Sequence, residues 1–229
     1  MTQSTLYERL DSLGLKGFKS SLIRQCDDPN YDQFPFNDRL LQLLDAEINE
    51  RENRKIKRLM QNSAIKDKQA SLENIEYSSA RGVERSHILS LATCDYIDKG
   101  QNILITGATG VGKSFLAQAL AKRAIHQGIS SVYYRVSRLL EEIKLARLEG
   151  TYTKTIQKLS KYQLLILDDL VGRASTPWAQ EKLDQLLNHR FIHELPTVIT
   201  TEMLPSDMDG RWPSWLGDSR LCQVYQLQD

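Results

Sequence analysis

Residues Gly107, Ala108, Thr109, Gly110, Val111, Gly112, Lys113 and Ser114 spell G-x-x-x-x-G-K-[ST], a spacing suited to gripping a polyphosphate. The glycines let successive backbone N–H groups turn inward, Lys113 adds a mobile cation, and Ser114 carries a hydroxyl able to ligate Mg2+. Phe115 leads into a segment that reads as helix, whose N-terminal dipole end faces the same anion. A second group of reactive residues follows the run LLIL: Asp168 and Asp169. A carboxylate at the C-terminal edge of a buried strand is placed to share the ion, so Asp168 is expected as a second Mg2+ anchor. Asp169, one residue on, is expected to orient or deprotonate an attacking water.

Such groups need a strand, a loop and a helix in that order, and the chain supplies them. The apolar run NILIT precedes the glycine loop and FLAQALAKRAIHQG follows it. Strands are expected at 102–106, 131–135, 164–167, 197–201 and 224–227, with helical stretches between them. That alternation predicts an α/β fold with a parallel five-stranded sheet flanked by helices. Residues 1–65 read differently. Thr5 and Glu8 have capping-box spacing, Leu6, Leu10 and Leu13 recur at helical intervals, and Gly14 can end a helix. After the turn-rich DDPNYDQFPFN, Leu41, Leu44 and Ile48 open a long helical pattern. The expected organisation is a small all-helical N-terminal domain over 1–65, a connector and helix over 66–100, and a nucleotide-binding core over 101–229.

Composition narrows the remaining classes. The 229 residues carry 30 Lys+Arg against 29 Asp+Glu, a net +1, so a uniformly basic nucleic-acid coat is excluded. Apolar runs of a few residues fall far short of the 18 or so that span a bilayer. The opening residues lack a secretory pattern, and three scattered cysteines read as reduced thiols, which together predict a cytoplasmic protein. Asp169 to Gly172 matches D-x-x-G, but no N-K-x-D follows, which argues against a GTPase. An arginine-rich lid is missing after Asp169, which argues against a small-metabolite kinase.

Three stretches, GATGVGKSFLAQALAKRA, YYRVSRLLEEI and LLILDDL, resemble the IstB-like/DnaC-type AAA+ ATPases, which assist insertion-sequence transposases or load replicative helicases. The resemblance extends upstream through LDAEINERENRKIKRLM, where the transposition helpers are the nearer likeness. Beyond residue 170, TPWAQEKLDQLLNHRF, LPTVITTE and DSRL look more like the helicase-loader branch. The resemblance implies an AAA+ P-loop core that binds ATP with Mg2+, Walker B at Asp168, a sensor at Glu202, an arginine finger at Arg220, and homo-oligomers assembled on DNA. Asp169 stands where many relatives have glutamate, and Glu202 where they usually have asparagine or glutamine. The chain ends nine residues after Arg220, with no evident lid domain. These departures imply slow hydrolysis, stimulated by DNA and assembly, or an ATP-gated scaffold with negligible turnover. Transposase and replicative helicase both stand as partners.

DNA itself has candidate contacts. Arg51, Arg54, Lys55 and Arg58 fall on one helical face, and residues 51–68 hold seven basic against two acidic side chains. Lys154, Lys158 and Lys161 form a second line, and Arg135, Arg138, Lys144 and Arg147 follow the second strand. Such cations meet phosphates without reading bases, so binding is expected to be sequence-nonspecific and mainly to duplex.

Overall fold

A computed structural model describes residues 3–75, 84–170, 176–208 and 212–228 of the chain. They form two compact units, 1–58 and 59–229, divided within one long helix. Gly172, the last residue of the D-x-x-G string, lies outside the described residues.

The first unit consists of α1 (Gln3–Ser12), α2 (Lys16–Asp27) and the N-terminal part of α3 (Phe36–Asn62). α1 starts at Gln3, so Thr5 lies inside the first turn rather than capping it. Gly14 takes the expected left-handed conformation, at φ +69°. α2 has no local cap. Glu47 of α3 substitutes, accepting from the N–H groups of Gly17 (2.8 Å) and Phe18 (3.2 Å). Gly17 allows that approach, because a Cβ there would sit 2.3 Å from the Ala46 carbonyl oxygen. The face of α3 that packs is therefore Leu43 and Glu47, both buried, while Leu41, Leu44 and Ile48 are 58, 45 and 54% exposed. The apolar spacing identified the helix but not its inward side.

In the second unit, α4 (Arg85–Ala92) and α5 (Asp95–Asp98) lead into β1 (Asn102–Thr106). The single helix expected within 66–100 is broken in two by Cys94, at φ +65°. Then follow α6 (Lys113–His126), β2 (Ser131–Arg135), α7 (Val136–Leu148), α8 (Tyr152–Ser160), β3 (Leu164–Leu170), α9 (Pro177–Ile192), β4 (Thr197–Thr201), α10 (Trp212–Leu216) and β5 (Cys222–Gln226). All strand pairs are parallel, in the order β2-β3-β4-β1-β5. β3 runs three residues beyond the apolar run, and β5 begins two residues earlier than expected.

Alternate strand residues feed two cores. Ile103, Ile105, Ile166 and Val198 pack with Leu116, Leu120 and the alanines of α6. Leu104, Leu165, Leu167 and Ile199 pack with α7 and α9. Covering both faces is what makes these strands read as unbroken apolar runs. Among the described residues no helix is long and apolar enough to cross a membrane.

Candidate nucleotide site

β1 lies between β4 and β5, and its C-terminal end opens where connections leave in opposite directions, the usual position for a ligand crevice. The chain turns there through Gly107, Gly110 and Gly112, at φ +145°, +92° and +98°. Glycine is required twice over at Gly107, since an added Cβ would stand 2.3 Å from the Leu227 carbonyl oxygen. Gly112 begins α6 with no side-chain cap, and the first helical N–H bonded to it is that of Leu116 (3.0 Å). Free N–H donors at the head of a 14-residue helix fit a phosphate chain. Lys113 holds its ammonium at the loop mouth, donating to the carbonyls of Gly107 (2.7 Å) and Ala108 (2.6 Å).

A cavity of about 320 Å³ opens onto this loop, lined by Thr109, Gly112, Lys113, Ser114, Asp169 and Glu202 among others. Asp169 reaches it through a bulge: Leu167 pairs with Ile199 and Leu170 with Thr201, so Asp168 and Asp169 share one step of β4. Asp169 adopts φ +63°, and its N–H donates to the Thr200 hydroxyl (2.8 Å). That hydroxyl in turn donates to Asp168 (2.6 Å). Left-handed backbone is uncommon for a non-glycine residue, and here the bulge turns an exposed carboxylate toward the loop.

Asp168 itself is fully buried. Its second oxygen accepts from the Tyr133 hydroxyl (2.6 Å) and lies 3.8 Å from the Arg135 guanidinium. Burial, then the hydrogen bond to Asp168, push the Tyr133 phenol far above its ordinary range, so it stays a donor. The Ser114 hydroxyl and the two carboxylates are the oxygen donors a divalent ion prefers. Asp169 presents to the cavity directly, whereas Asp168 sits behind Tyr133 and Thr200. Glu202, one residue past β4, accepts a hydrogen bond from the Thr109 hydroxyl and so bridges to the phosphate loop.

Arg220 is elsewhere. Its carbonyl accepts from Gln101 (3.2 Å) just before β1, which places it at the sheet edge opposite the loop. It is 86% exposed and forked onto Asp218, at 3.0 and 2.7 Å. Hydrogen bonds from Arg220 hold the Asp218 carboxyl down to about 2. Three residues of the site escaped the sequence reading in this role: Tyr133, Arg135 and Thr200. The register of β2 on β3, which sets Arg135 opposite Asp168, brings two of them in, and apolar patterning carries no such information.

The proposed DNA stripes are partly neutralised. Arg51 and Arg54 pair with Glu47 and Glu50, and Arg138 with Glu142.

The fold resembles solved replication proteins. The DnaC helicase loader superposes with a TM-score of 0.56 at 21% identity, covering 70% of this chain and 98% of that one. DnaA from Aquifex aeolicus bound to AMPPCP gives 0.61 at 18% identity, covering 71% of this chain and 51% of its own. An ATP-binding protein of insertion sequence IS1162 from Pseudomonas fluorescens is 34% identical over 93% of this chain and 94% of the relative. The insertion-sequence ATP-binding protein y4pL of Sinorhizobium fredii is 32% identical over 86% of this chain and 79% of its own. The model of the IstB-like ATP binding protein family matches residues 8–225. The chain belongs to the IstB-like ATP-binding protein family.

Proposed function

We propose that the protein is a DNA-dependent ATPase that binds ATP with Mg2+, assembles on DNA and assists a transposase in insertion-sequence transposition. The observation that carries the chemistry is the meeting of the uncapped head of α6 with the Asp168–Asp169 bulge at one sheet edge. The names of the insertion-sequence relatives support the pathway. The uncovered face of Leu41, Leu44 and Ile48 supports docking of a protein partner by the N-terminal helices.

The N–H groups of the loop and Lys113 hold the phosphate chain, and Thr109 and Glu202 close over it from the β4 side. Bound Mg2+ would supply neutralising charge at the phosphates; the Ser114 hydroxyl would hold it directly, and the Asp168 carboxylate, engaged by Tyr133 and Thr200, would act on it from behind by its charge. Asp169, exposed beside the loop, orients and accepts a proton from the attacking water. Arg220 points away from its own loop, so it acts on the nucleotide of a neighbouring copy, which makes turnover depend on assembly.

Phosphate release measured against protein concentration, with duplex DNA, single-stranded DNA or none, tests this. The expected result is a cooperative rise, steepest with duplex. Greater stimulation by single strands would move the protein to the helicase-loading role. Binding of Mg·ATP with turnover flat in both variables would leave only a nucleotide-gated scaffold.

A further inference from the structure

A second and larger cavity, about 600 Å³, lies against the nucleotide site and shares Ser114 and Arg135 with it. Its floor is the end of β2, with Tyr133 and Tyr134, and one wall is the start of α7, with Arg138. The opposite wall is the segment that carries Lys66. That wall is fixed in place. The N–H groups of Lys66 and Asp67 both donate to the Gln118 side chain (3.2 and 3.1 Å), and the Tyr133 N–H donates to the Ser63 carbonyl (2.8 Å).

Three of the five charged side chains around this space, Lys66, Arg135 and Arg138, are cations against the two acids Asp67 and Glu142, a local excess of one positive charge. Glu142 pairs with Arg138 at 3.3 Å, and Asp67 accepts from the N–H of Gln69 at 2.8 Å. Cations lining an open groove suit the backbone phosphates of nucleic acid. Arg135 links the two cavities. Its guanidinium lies 3.8 Å from Asp168, too far for a hydrogen bond, and the side chain remains 62% exposed. It can therefore turn to an anion in the larger cavity without breaking a hydrogen bond to Asp168.

We infer that this cavity is a binding site for a backbone phosphate of nucleic acid, held by Lys66, Arg138 and Arg135, and that its occupation draws Arg135 from Asp168. Arg135 is thus a positioning residue: its charge offsets that of Asp168 when the cavity is free, and its withdrawal when a strand is bound leaves the full charge of the carboxylate, still held by Tyr133 and Thr200, to act on the nucleotide's metal. DNA then acts on the nucleotide site within one subunit, separately from any arginine supplied by a neighbour. The inference rests on the nucleotide reading above for its effect on Asp168, but not for the cavity's own occupant.

The test is the Mg2+ concentration at half-maximal binding of a fluorescent, non-hydrolysable ATP analogue, measured with and without a short DNA duplex. DNA is expected to lower that midpoint about tenfold in the wild type. The double variant Lys66→Ala, Arg138→Ala is expected to keep the DNA-free midpoint, to lose the shift, and to reduce the log–log salt slope of DNA affinity by roughly one, the value for one phosphate contact. Arg135→Met should bring the midpoint down without DNA and leave it insensitive to DNA, whereas Arg135→Lys should retain the shift. An undiminished shift and an unchanged salt slope in the double variant would overturn the site. The same shift produced by inorganic phosphate alone would overturn nucleic acid as its occupant. If the wild type takes up no nucleotide at any Mg2+ concentration, the nucleotide reading fails, and the salt slope still decides the cavity.

Discussion

Glu202 is the residue whose chemistry departs furthest from what a phosphate site ordinarily uses. It lines the loop cavity together with a second anion, Asp169, and with two cations, Lys113 and Arg135. If the phosphate chain runs from the loop and Lys113 toward the end of β4, the third phosphate is the one that meets the Glu202 carboxylate across the cavity. Like charges a few ångströms apart repel appreciably even in a solvated cleft. Glu202→Gln keeps an oxygen to accept from Thr109 while removing the charge. Its affinity for a non-hydrolysable ATP analogue should rise relative to ADP by about tenfold, near 1.4 kcal/mol. Calorimetric titration with both nucleotides checks this. An unchanged ratio would mean that the carboxylate stays on Thr109, away from the third phosphate. This position was legible in sequence only through the family resemblance, which implied a sensor there. Its hydrogen bond to Thr109 was not, since the two residues stand 93 positions apart.

At the scale of elements, Arg190 shows most clearly what periodicity hides. On α9 it reads as one more solvated cation, yet it is 1% exposed. It donates to the Thr197 hydroxyl (3.1 Å) and to the carbonyls of Leu159, Tyr162, Gln163 and Pro196, at 2.8 to 3.4 Å. One guanidinium thus ties the end of α8 and the starts of β3 and β4, and burial pulls its pKa down to about 10. Arg190→Met removes every donor and leaves buried carbonyls unpaired, at about 1–3 kcal/mol each and not additively. A loss of about 3 kcal/mol should lower the melting temperature of the full chain by roughly 6–12 °C, with nucleotide binding intact at low temperature. Glu47 is the counterpart in the N-terminal unit. Burial raises its pKa, but Arg51 and the N–H groups of Phe18 and Gly17 outweigh that and hold it below the usual value. Its contribution is therefore complete above the unfolded carboxylate value of about 4.3 and is lost as pH falls through the lower folded value. Glu47→Gln should melt earlier than wild type at pH 7, by about 1 kcal/mol of cap energy. The gap should close in acid scans below about pH 4. A gap constant down to pH 2 would mean that the charge plays no part in the cap. Strands β1, β2 and β4 could be bounded from sequence because each is centred on a short apolar, β-branched or aromatic run flanked by turn or helix residues. The β3 bulge could not, because it depends on a Thr200 hydroxyl supplied by another strand.

At the scale of the whole molecule, the geometry of one chain is incomplete for the chemistry proposed. The loop follows the C-terminal end of β1, and Arg220 sits beside its N-terminal end, so a five-residue strand of about 17 Å separates them. A guanidinium cannot bridge that distance within its own fold. The same placement leaves its side chain 86% exposed, with the guanidinium paired to Asp218, and able to meet another copy. If the finger works between subunits, two differently damaged chains should repair each other. Lys113→Ala removes the loop's cation but leaves Arg220 intact. Arg220→Ala leaves the loop intact but offers no finger. Each alone should release phosphate at a small fraction of the wild-type rate in the presence of DNA. An equimolar mixture should recover up to about a quarter of it, since one of four random neighbour pairs combines an intact loop with an intact finger, as expected for a charge supplied in trans. Sedimentation of the mixture on DNA confirms that the variants co-assemble. Co-assembly with no recovery of turnover would remove Arg220 from the mechanism and leave hydrolysis to Asp169 and the loop of each chain by itself.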